Sequence, residues 1–282
     1  MVPPGSVDET VALATTCEGG EGGAMRQSRL TGVLAGLLLA AAAGSAVPAG
    51  AAEIRVLSAG AVKAAVVDLA KDFERDTGHT VRFTFATVGV LQKKIAEGET
   101  ADVFIMTDTA LEEQMRRGTV AAGSRTDIAR VGVGVAVRAG SRPPDISTTE
   151  AFTHAVLAAK SIVYMDPAKG GTSGIHFAAV LQRLGIADQV RGKTTLWPEG
   201  YAAEAVAKGD VELCIHQISE ILAVKGVTLV GPLPRELQKV SVYLAGVAAR
   251  ASTPEAAKSF LAFLRTPSSR AKFTQVGLDY AE

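Results

Sequence analysis

The sequence predicts an α/β fold with two lobes, each of them a mainly parallel sheet flanked by helices, and a cleft between the lobes. Hydrophobic segments with a strand period alternate with segments of helical period from residue 52 onward. Helices separate most of these strands, an order that is typical of parallel sheets. A Gly-Pro-Leu-Pro breaker at residues 231–234 then precedes one more strand, which can pair back into either sheet.

The first lobe is predicted from three strand and helix units. Its strands are expected at residues 54–57, 81–85 and 103–106, and its helices at residues 62–73, 89–97 and 110–117. In the first helix, apolar residues recur at helical spacing, so that one face can be buried. Gly118 ends the third helix.

The second half of the chain predicts a second α/β unit. Its strands are expected at residues 131–137, 162–165, 211–215 and 227–230, and a further strand at 240–247 is followed by helices. Thr253 is placed to cap the first of these helices, with Pro254 in its first position. We expect the chain to cross between lobes near residues 128–132 and 234–242. Lobe 1 is then residues 52–130 with 240–282, and lobe 2 is residues 131–239, with the site between them.

A glycine-rich loop with two hydroxyl groups, residues 166–177, lies between the strand at 162–165 and the next helix. The first turn of a helix presents free backbone N–H groups and the positive end of the helix dipole, which together favour an anion. The alternative is an ordinary capped connection in which Ser173 is the N-cap residue and nothing is bound. For this loop alone, both interpretations stay open.

Two further loops follow the same plan, at residues 58–61 after the first strand and at residues 87–89 after the second. In a parallel sheet all three loops lie at the carboxyl ends of strands, where ligands bind in open α/β sheets. Three helix beginnings could therefore converge on one anion or carboxylate.

Lys169 and two hydroxyl groups add candidate donors to the glycine-rich loop. Lys169 would supply a mobile cation, and Thr172 and Ser173 could hold a second carboxylate oxygen. The alternative for Lys169 is a solvated surface lysine.

Three more candidates come from the second lobe. His216 and Gln217 directly follow the strand at 211–215, and Tyr201 precedes a helix and could form an aromatic wall. The alternatives are a partly buried histidine with a local partner and simple packing between the lobes. The candidate ligand-binding residues are therefore Ser58, Ala59, Gly60, Ala61, Thr87, Val88, Gly89, Lys169, Gly171, Thr172, Ser173, Tyr201, His216 and Gln217.

The N-terminal segment is predicted to be a leader with a signal peptide, residues 1–51. A basic start at Met25 leads into an apolar run at residues 30–43 and then into small residues that end at Ala51. We expect Met25 to be the true start and cleavage to follow Ala51. A single-pass anchor is the alternative, but the apolar run is shorter than the roughly 20 residues that span a bilayer. The expected product is periplasmic, soluble and not inserted in a membrane.

Composition excludes several function classes. After cleavage, 27 basic and 25 acidic side chains remain and aromatic residues are rare, so a nucleic-acid groove has little to be built from. Four scattered histidines and Cys214, the one remaining cysteine, show no metal-ligand spacing and allow no internal disulfide. Common hydrolase and phosphate-loop motifs are missing, so binding is favoured over catalysis. No metal and no cofactor is predicted, and we expect a monomer.

Five stretches resemble one known family. They are residues 56–65, 85–91 and 98–105, Asp166-Pro167 with Ser173-Gly174, and Lys225-Gly226-Val227. Residues 52–280 resemble the periplasmic molybdate-binding proteins, which are soluble receptors of ABC importers with the type II two-lobe fold. The resemblance implies capture of a small anion and a partnership with the membrane subunits of an importer.

The chain differs from this family at the positions that hold the metal oxyanion. The family has a serine after each of the first two strands, where this sequence has Ala61 and Val88, and a tyrosine where it has Gln217. Each lost hydroxyl donor to a charged acceptor removes roughly 1.5–3 kcal/mol. A small organic carboxylate is therefore the expected ligand, and molybdate or tungstate is an alternative.

The variant loops resemble a sister group that includes aconitate isomerase, which moves a double bond in a tricarboxylic acid. An isomerase of this kind is a second alternative, and it needs a base for a C–H proton and a group that stabilises the developing charge. The resemblance would place His216 or Glu199 as the base and Lys169 as the stabilising group.

Overall fold

The computed structural model describes residues 50–279. The predicted leader and signal peptide lies outside the described residues, apart from its last two positions. Within residues 50–279, no helix is both long and apolar enough to cross a bilayer.

Strands and helices alternate along the described chain. The strands are β1 Glu53–Ala59, β2 Thr80–Ala86, β3 Val103–Thr107, β4 Thr126–Arg138, β5 Ile162–Met165, β6 Thr194–Trp197, β7 Leu213–Gln217, β8 Val227–Pro232 and β9 Val240–Val247. The helices are α1 Lys63–Thr77, α2 Val88–Ala96, α3 Asp108–Arg116, α4 Thr149–Ala158, α5 Thr172–Arg183, α6 Ala187–Arg191, α7 Ala203–Lys208, α8 Ile218–Leu222, α9 Pro254–Leu264 and α10 Pro267–Gln275. Short 3-10 turns at Gly60–Val62 and Pro167–Lys169 precede α1 and α5.

The strands are hydrogen-bonded in the order β2-β1-β3-β9-β4-β7-β5-β6, with β8 paired to β4. β1 is parallel to β2 and β3, and β5 is parallel to β6 and β7. β9 is antiparallel to β3 and β4, and β4 is antiparallel to β7 and β8. The predicted α/β class is confirmed, but the sheet is mixed, because no helix separates β9 from β8 and β4 pairs only with strands that run against it.

β4 is longer than the alternating pattern predicted. Residues 126–132 pair with β9, and residues 133–138 pair with β7 and β8. At the change of partner, the N–H of Val133 donates to Gln238 Oε1 over 2.9 Å, and Gln238 Nε2 donates to the Val133 carbonyl over 2.8 Å. The amide side chain thus acts as a short strand partner at this point.

In the part of the chain that the structure describes, apolar side chains form one large cluster and two smaller ones. The large cluster holds Phe73, Phe104 and Phe260 around β1, β3, α1 and α9. The smaller clusters lie on the two faces of β5 and β7, because successive side chains of a strand point to opposite faces. Cys214 is fully buried in one of them. The boundaries of the two lobes stay a prediction.

Asp102, the residue before β3, is a fully buried carboxylate that ties β1 to the start of α9. It accepts the N–H of Arg55 over 2.8 Å, the N–H and hydroxyl of Ser252 over 2.6 and 2.7 Å, and the N–H of Thr253 over 3.2 Å. Burial acts to raise the pKa of Asp102, but these hydrogen bonds outweigh it, and the pKa lies below its usual value.

Asp102→Asn is expected to lower the free energy of unfolding by about 2 kcal/mol, since hydrogen bonds to a charged group contribute about 1.5–3 kcal/mol each and an amide accepts fewer of them. Because the folded pKa is depressed, the stabilisation by Asp102 is present above the unfolded value of about 3.9 and is lost as the pH falls through the folded value. Urea unfolding at pH 7 and at pH 3 measures both effects. A wild-type and variant difference that is equal at the two pH values would contradict this role.

Candidate ligand-binding cleft

One cavity of about 230 Å³ collects most of the residues that the sequence analysis selected. The candidates that line it are Ala59, Gly60, Ala61, Thr87, Val88, Gly171, Thr172, Ser173, Tyr201, His216 and Gln217, together with Glu199. The volume is several times the roughly 30 Å³ of one water, but below the roughly 300 Å³ at which pockets for drug-sized ligands begin. The cavity suits a small solute.

Three candidates do not line this cavity. Ser58 is buried, and its hydroxyl donates to the Ala59 carbonyl over 3.2 Å. The N–H of Gly89 donates to the Gly170 carbonyl over 3.3 Å, so it is no longer free for a ligand. Lys169 is exposed at the end of the second 3-10 turn, and its carbonyl accepts a hydrogen bond from the Thr87 hydroxyl. The spacing in the sequence predicted that these residues lie near the site, but not which way their side chains and N–H groups point.

The glycine-rich loop places the beginning of α5 against the cavity. Gly170 has a φ of 70° and ends the 3-10 turn, and Gly171 is the N-cap residue, without a side-chain cap. A Cβ on Gly171 would come within 2.7 Å of the Met165 Cβ, and one on Gly174 would overlap the Met165 carbonyl. Glycine is thus required for α5 to begin so close to β5, and its first N–H groups have no intrahelical acceptor.

Ser173 is not the N-cap residue, which corrects the alternative interpretation of this loop. It is the second residue of α5, it is buried, and its Oγ lies 3.2 Å from Nδ1 of His216. Its hydroxyl therefore connects α5 to β7 within the lining of the cavity.

The beginning of α2 faces the same cavity from β2. Thr87 is the N-cap residue and accepts the N–H of Val90 over 3.3 Å. Val88 and Ala61 both line the cavity without a hydroxyl group. Next to the cavity, Gly89 of α2 and Gly170 are in direct backbone contact, and a Cβ on Gly170 would lie 2.5 Å from the Cα of Gly89.

Among the described residues that line the cavity, Lys63 is the one lysine or arginine. Its Nζ lies 5.3 Å from the ring centroid of Phe85 and 5.5 Å from that of Tyr201, within the range of cation–π contacts. Sequence reasoning missed it, because a lysine beside an apolar helical face is normally solvated. Its place at the first position of α1, directly after the 58–61 loop, is the signal that could have revealed it.

Glu220, which sequence reasoning also missed, lines the cavity from α8, with Oε2 3.3 Å from Nδ1 of His216. Burial raises the pKa of Glu220 to about 8 and lowers the pKa of His216 to about 4. Nδ1 of His216 also accepts the N–H of Gln217 over 2.9 Å, so its proton, when neutral, is on Nε2. Both side chains are therefore largely uncharged at neutral pH.

Gln217 and Tyr243 complete the neutral part of the lining. Gln217 Nε2 donates to Ser241 Oγ over 3.3 Å and to Tyr243 Oη over 3.4 Å, and its Oε1 is buried without a partner. Burial raises the pKa of Tyr243, and that of Tyr201 to about 12, so both phenols keep their protons. Phenol, amide and hydroxyl groups thus line one side of the cavity.

The cavity therefore combines the beginnings of three helices, neutral donors and one ammonium group. It also has carboxyl groups in its lining, because Glu199 and Glu204 join Glu220 there. Within residues 50–279, no cluster of His, Cys, Asp and Glu is suited to a metal ion. Chemically, such a site can hold an anion, and it has groups that can exchange a proton with it.

Comparisons with known proteins give the family. The model of the bacterial extracellular solute-binding proteins matches residues 54–279. Aconitate isomerase of a Pseudomonas species is 30% identical over 231 residues, which cover 80% of this chain and 87% of that protein. The molybdate-binding protein ModA of Azotobacter vinelandii is 31% identical over 201 residues, which cover 69% and 73%.

A solved structure shows the same fold. The periplasmic molybdate-binding protein of Azotobacter vinelandii superimposes with a TM-score of 0.69 and 20% identity, over 81% of this chain and all of that one. The chain therefore belongs to the bacterial extracellular solute-binding proteins, in the ModA-like group that also includes relatives similar to aconitate isomerase.

Proposed function

We propose that this protein captures a small organic carboxylate in the cavity and delivers it to the membrane subunits of an ABC importer. The observation that carries the proposal is the convergence of helix beginnings at Gly60, Val88 and Thr172 on one cavity that also contains the Lys63 ammonium group. Free N–H groups and helix dipoles favour a negative charge. A micromolar affinity needs about 8 kcal/mol, within reach of several charge-assisted hydrogen bonds.

The lining favours an organic acid over a compact tetrahedral oxyanion. A tetrahedral dianion needs donors on every side, but Ala61 and Val88 offer no hydroxyl, and Met165 and Phe85 add apolar surface. An organic acid has a carbon skeleton that can lie against this surface while its carboxylates reach the donors. Molybdate stays an alternative, because ModA proteins are among the similar proteins.

The proposed place of action is the periplasm, as for the relatives that are described as periplasmic binding proteins. Closure of two lobes around the solute would remove water and strengthen each donor contact. We propose that the protein acts as a monomer.

Organic acids are expected to raise the melting temperature, and molybdate is not. At a hundred times Kd a ligand stabilises by about 2.7 kcal/mol, or about 5–10 °C for a domain of this size. A thermal-shift series with trans-aconitate, cis-aconitate, citrate, molybdate and sulfate measures this, with calorimetry on each acid that shifts the melting temperature. A shift with molybdate and none with the acids would overturn the proposal.

A second candidate is an isomerase that moves a C=C bond in a small polycarboxylate. It is favoured by the relative named aconitate isomerase and by the carboxyl groups of Glu199, Glu204 and Glu220 beside a cation. In such a reaction a base removes a proton from a carbon next to a carboxylate, the double bond shifts, and a proton is returned at the far carbon. Glu199 or Glu204 would be the base and Lys63, rather than Lys169, would stabilise the developing charge. His216, with a pKa of about 4 and an occupied Nδ1, is a weak base.

Ultraviolet absorbance distinguishes the two candidates. Purified protein incubated with cis- or trans-aconitate at high protein concentration changes the absorbance only if it is an isomerase. Proton NMR in deuterium oxide, where an isomerase places deuterium on carbon, gives an independent check. Binding of aconitate without its conversion and without deuterium exchange would support the transport function and contradict the isomerase function.

A further inference from the structure

We infer that Glu220 is a ligand-binding residue, whose neutral carboxyl group donates its O–H to an anionic group of the solute, so that binding fixes a proton on the protein. The inference rests on the proposed function, because it concerns the same cavity and an anionic ligand. It adds to the site a hydrogen-bond donor that the sequence analysis did not select.

Glu220 lies in the wall of the cavity, next to the turn that follows β1. The Glu220 side chain is 11% exposed, and its Oε1 lies beside the 3-10 turn at the start of the cavity, where a Cβ on Gly60 would be only 2.9 Å away. The hydroxyl of Ser219 donates to the Ala61 carbonyl over 2.7 Å and holds α8 against this turn. An anion that accepts the free N–H groups of the turn therefore lies next to the Glu220 carboxyl.

The histidine beside Glu220 does not neutralise it as a cation. A protonated His216 would carry a hydrogen on Nδ1, but this atom accepts the N–H of Gln217 and lies 3.2 Å from Ser173 Oγ. Two donors cannot share that contact. Glu220 is consequently uncharged by protonation and not by an ion pair, and its O–H is available to a ligand.

The charge of Glu220 is expected to decide how the affinity for an anion depends on pH. The titratable and charged groups that face it or line the same cavity are Lys63, Glu199, Tyr201, Glu204, Cys214, His216 and Tyr243. Burial keeps the phenols, the thiol and the imidazole uncharged between pH 6.5 and 9. An ionised Glu220 would repel an anion in contact with it, whereas the acid form binds it.

A pH profile of affinity follows from this arrangement. Below pH 8 Glu220 already holds its proton, and binding takes up little. Above pH 8 the free protein has lost that proton and must regain it on binding, so the affinity falls by about tenfold per pH unit.

Calorimetry with trans-aconitate tests the inference on the wild-type protein alone. Titrations in phosphate and in Tris, which differ in ionisation enthalpy, count the protons taken up. We expect nearly none at pH 6.5 and close to one per ligand at pH 9. Binding without proton uptake at pH 9 overturns the inference and leaves the proposed function intact, whereas failure of trans-aconitate, cis-aconitate and citrate to bind at pH 6.5 overturns both.

Two variants locate the proton. Glu220→Gln keeps a donor that does not ionise, so it is expected to bind within about threefold of wild type at pH 6.5 and to show no decline up to pH 9. Glu236→Gln is the matched control, because it removes an exposed carboxyl that does not line the cavity, and its profile is expected to follow wild type. A decline in Glu220→Gln equal to that of wild type would assign the proton to another group.

Discussion

Gly170→Ala is expected to weaken binding of the organic acid by at least a hundredfold. A Cβ at this position would lie 2.5 Å from the Cα of Gly89, so the contact between α2 and the glycine-rich loop cannot form as it stands. The same contact holds the hydrogen bond from the Gly89 N–H to the Gly170 carbonyl and the one from Thr87 to Lys169. Its loss would separate two of the three helix beginnings that line the cavity.

Gly185→Ala is the matched control for this change. Gly185 has a φ of 69°, close to the 70° of Gly170, but a Cβ there would meet no atom within 4 Å. Both variants therefore carry the same backbone strain, and only Gly170→Ala carries the collision. Calorimetry at pH 6.5 and thermal unfolding without ligand are the measurements. Equal affinities of the two variants would show that the contact does not matter for binding.

Gly89→Ala gives an independent check on the same contact. Its Cβ would lie 2.7 Å from the Cα of Gly170, whereas within a helix alanine is more favourable than glycine by about 1 kcal/mol. This variant should bind more weakly without a matching loss of stability, a combination that a simple folding defect does not produce.

The second large effect is expected from Lys63→Gln. Loss of the one ammonium group in the lining should weaken binding of trans-aconitate by about 10- to 100-fold, since a hydrogen bond between charged groups contributes about 1.5–3 kcal/mol. The change should also flatten the salt dependence of Kd, because less of the attraction would be between full charges.

Lys169→Gln is the matched control for the charge, since Lys169 is exposed, as Lys63 is, but does not line the cavity. Its affinity is expected to stay within about twofold of wild type. If Lys169→Gln weakened binding more than Lys63→Gln did, the cation of the site would be Lys169 in the glycine-rich loop.

Local patterns were enough to predict the loops of the cleft. Strand periods followed by glycine and hydroxyl residues mark the carboxyl ends of β1, β2 and β5. Parallel pairing brings the ends of β1 and β2 to one edge, and the end of β5, which runs in the opposite direction, reaches the same cavity from the other part of the sheet. This is why eleven of the fourteen candidate residues line the cavity. The order of the strands was harder to predict from the sequence, because β9 lies between β3 and β4 without a crossover helix.

The missed residues are those whose role depends on a distant part of the chain. Lys63 is an exposed helix residue, and the approach of Phe85 and Tyr201 makes it part of the cavity lining. Glu220 follows His216 by four residues, but nothing local indicates that Gly60 and Ala61 bury it from the other side. Contacts between residues more than a hundred positions apart leave no periodic pattern in the sequence.

The partner change in β4 has a mechanical consequence. Where β9 gives way to β7 and β8, Val133 is bonded to the side-chain amide of Gln238. A side chain can follow a rotating backbone by adjusting its own torsions, whereas two paired strands must shear together. We therefore expect the sheet to bend more easily at this point of β4 than within its fully paired segments.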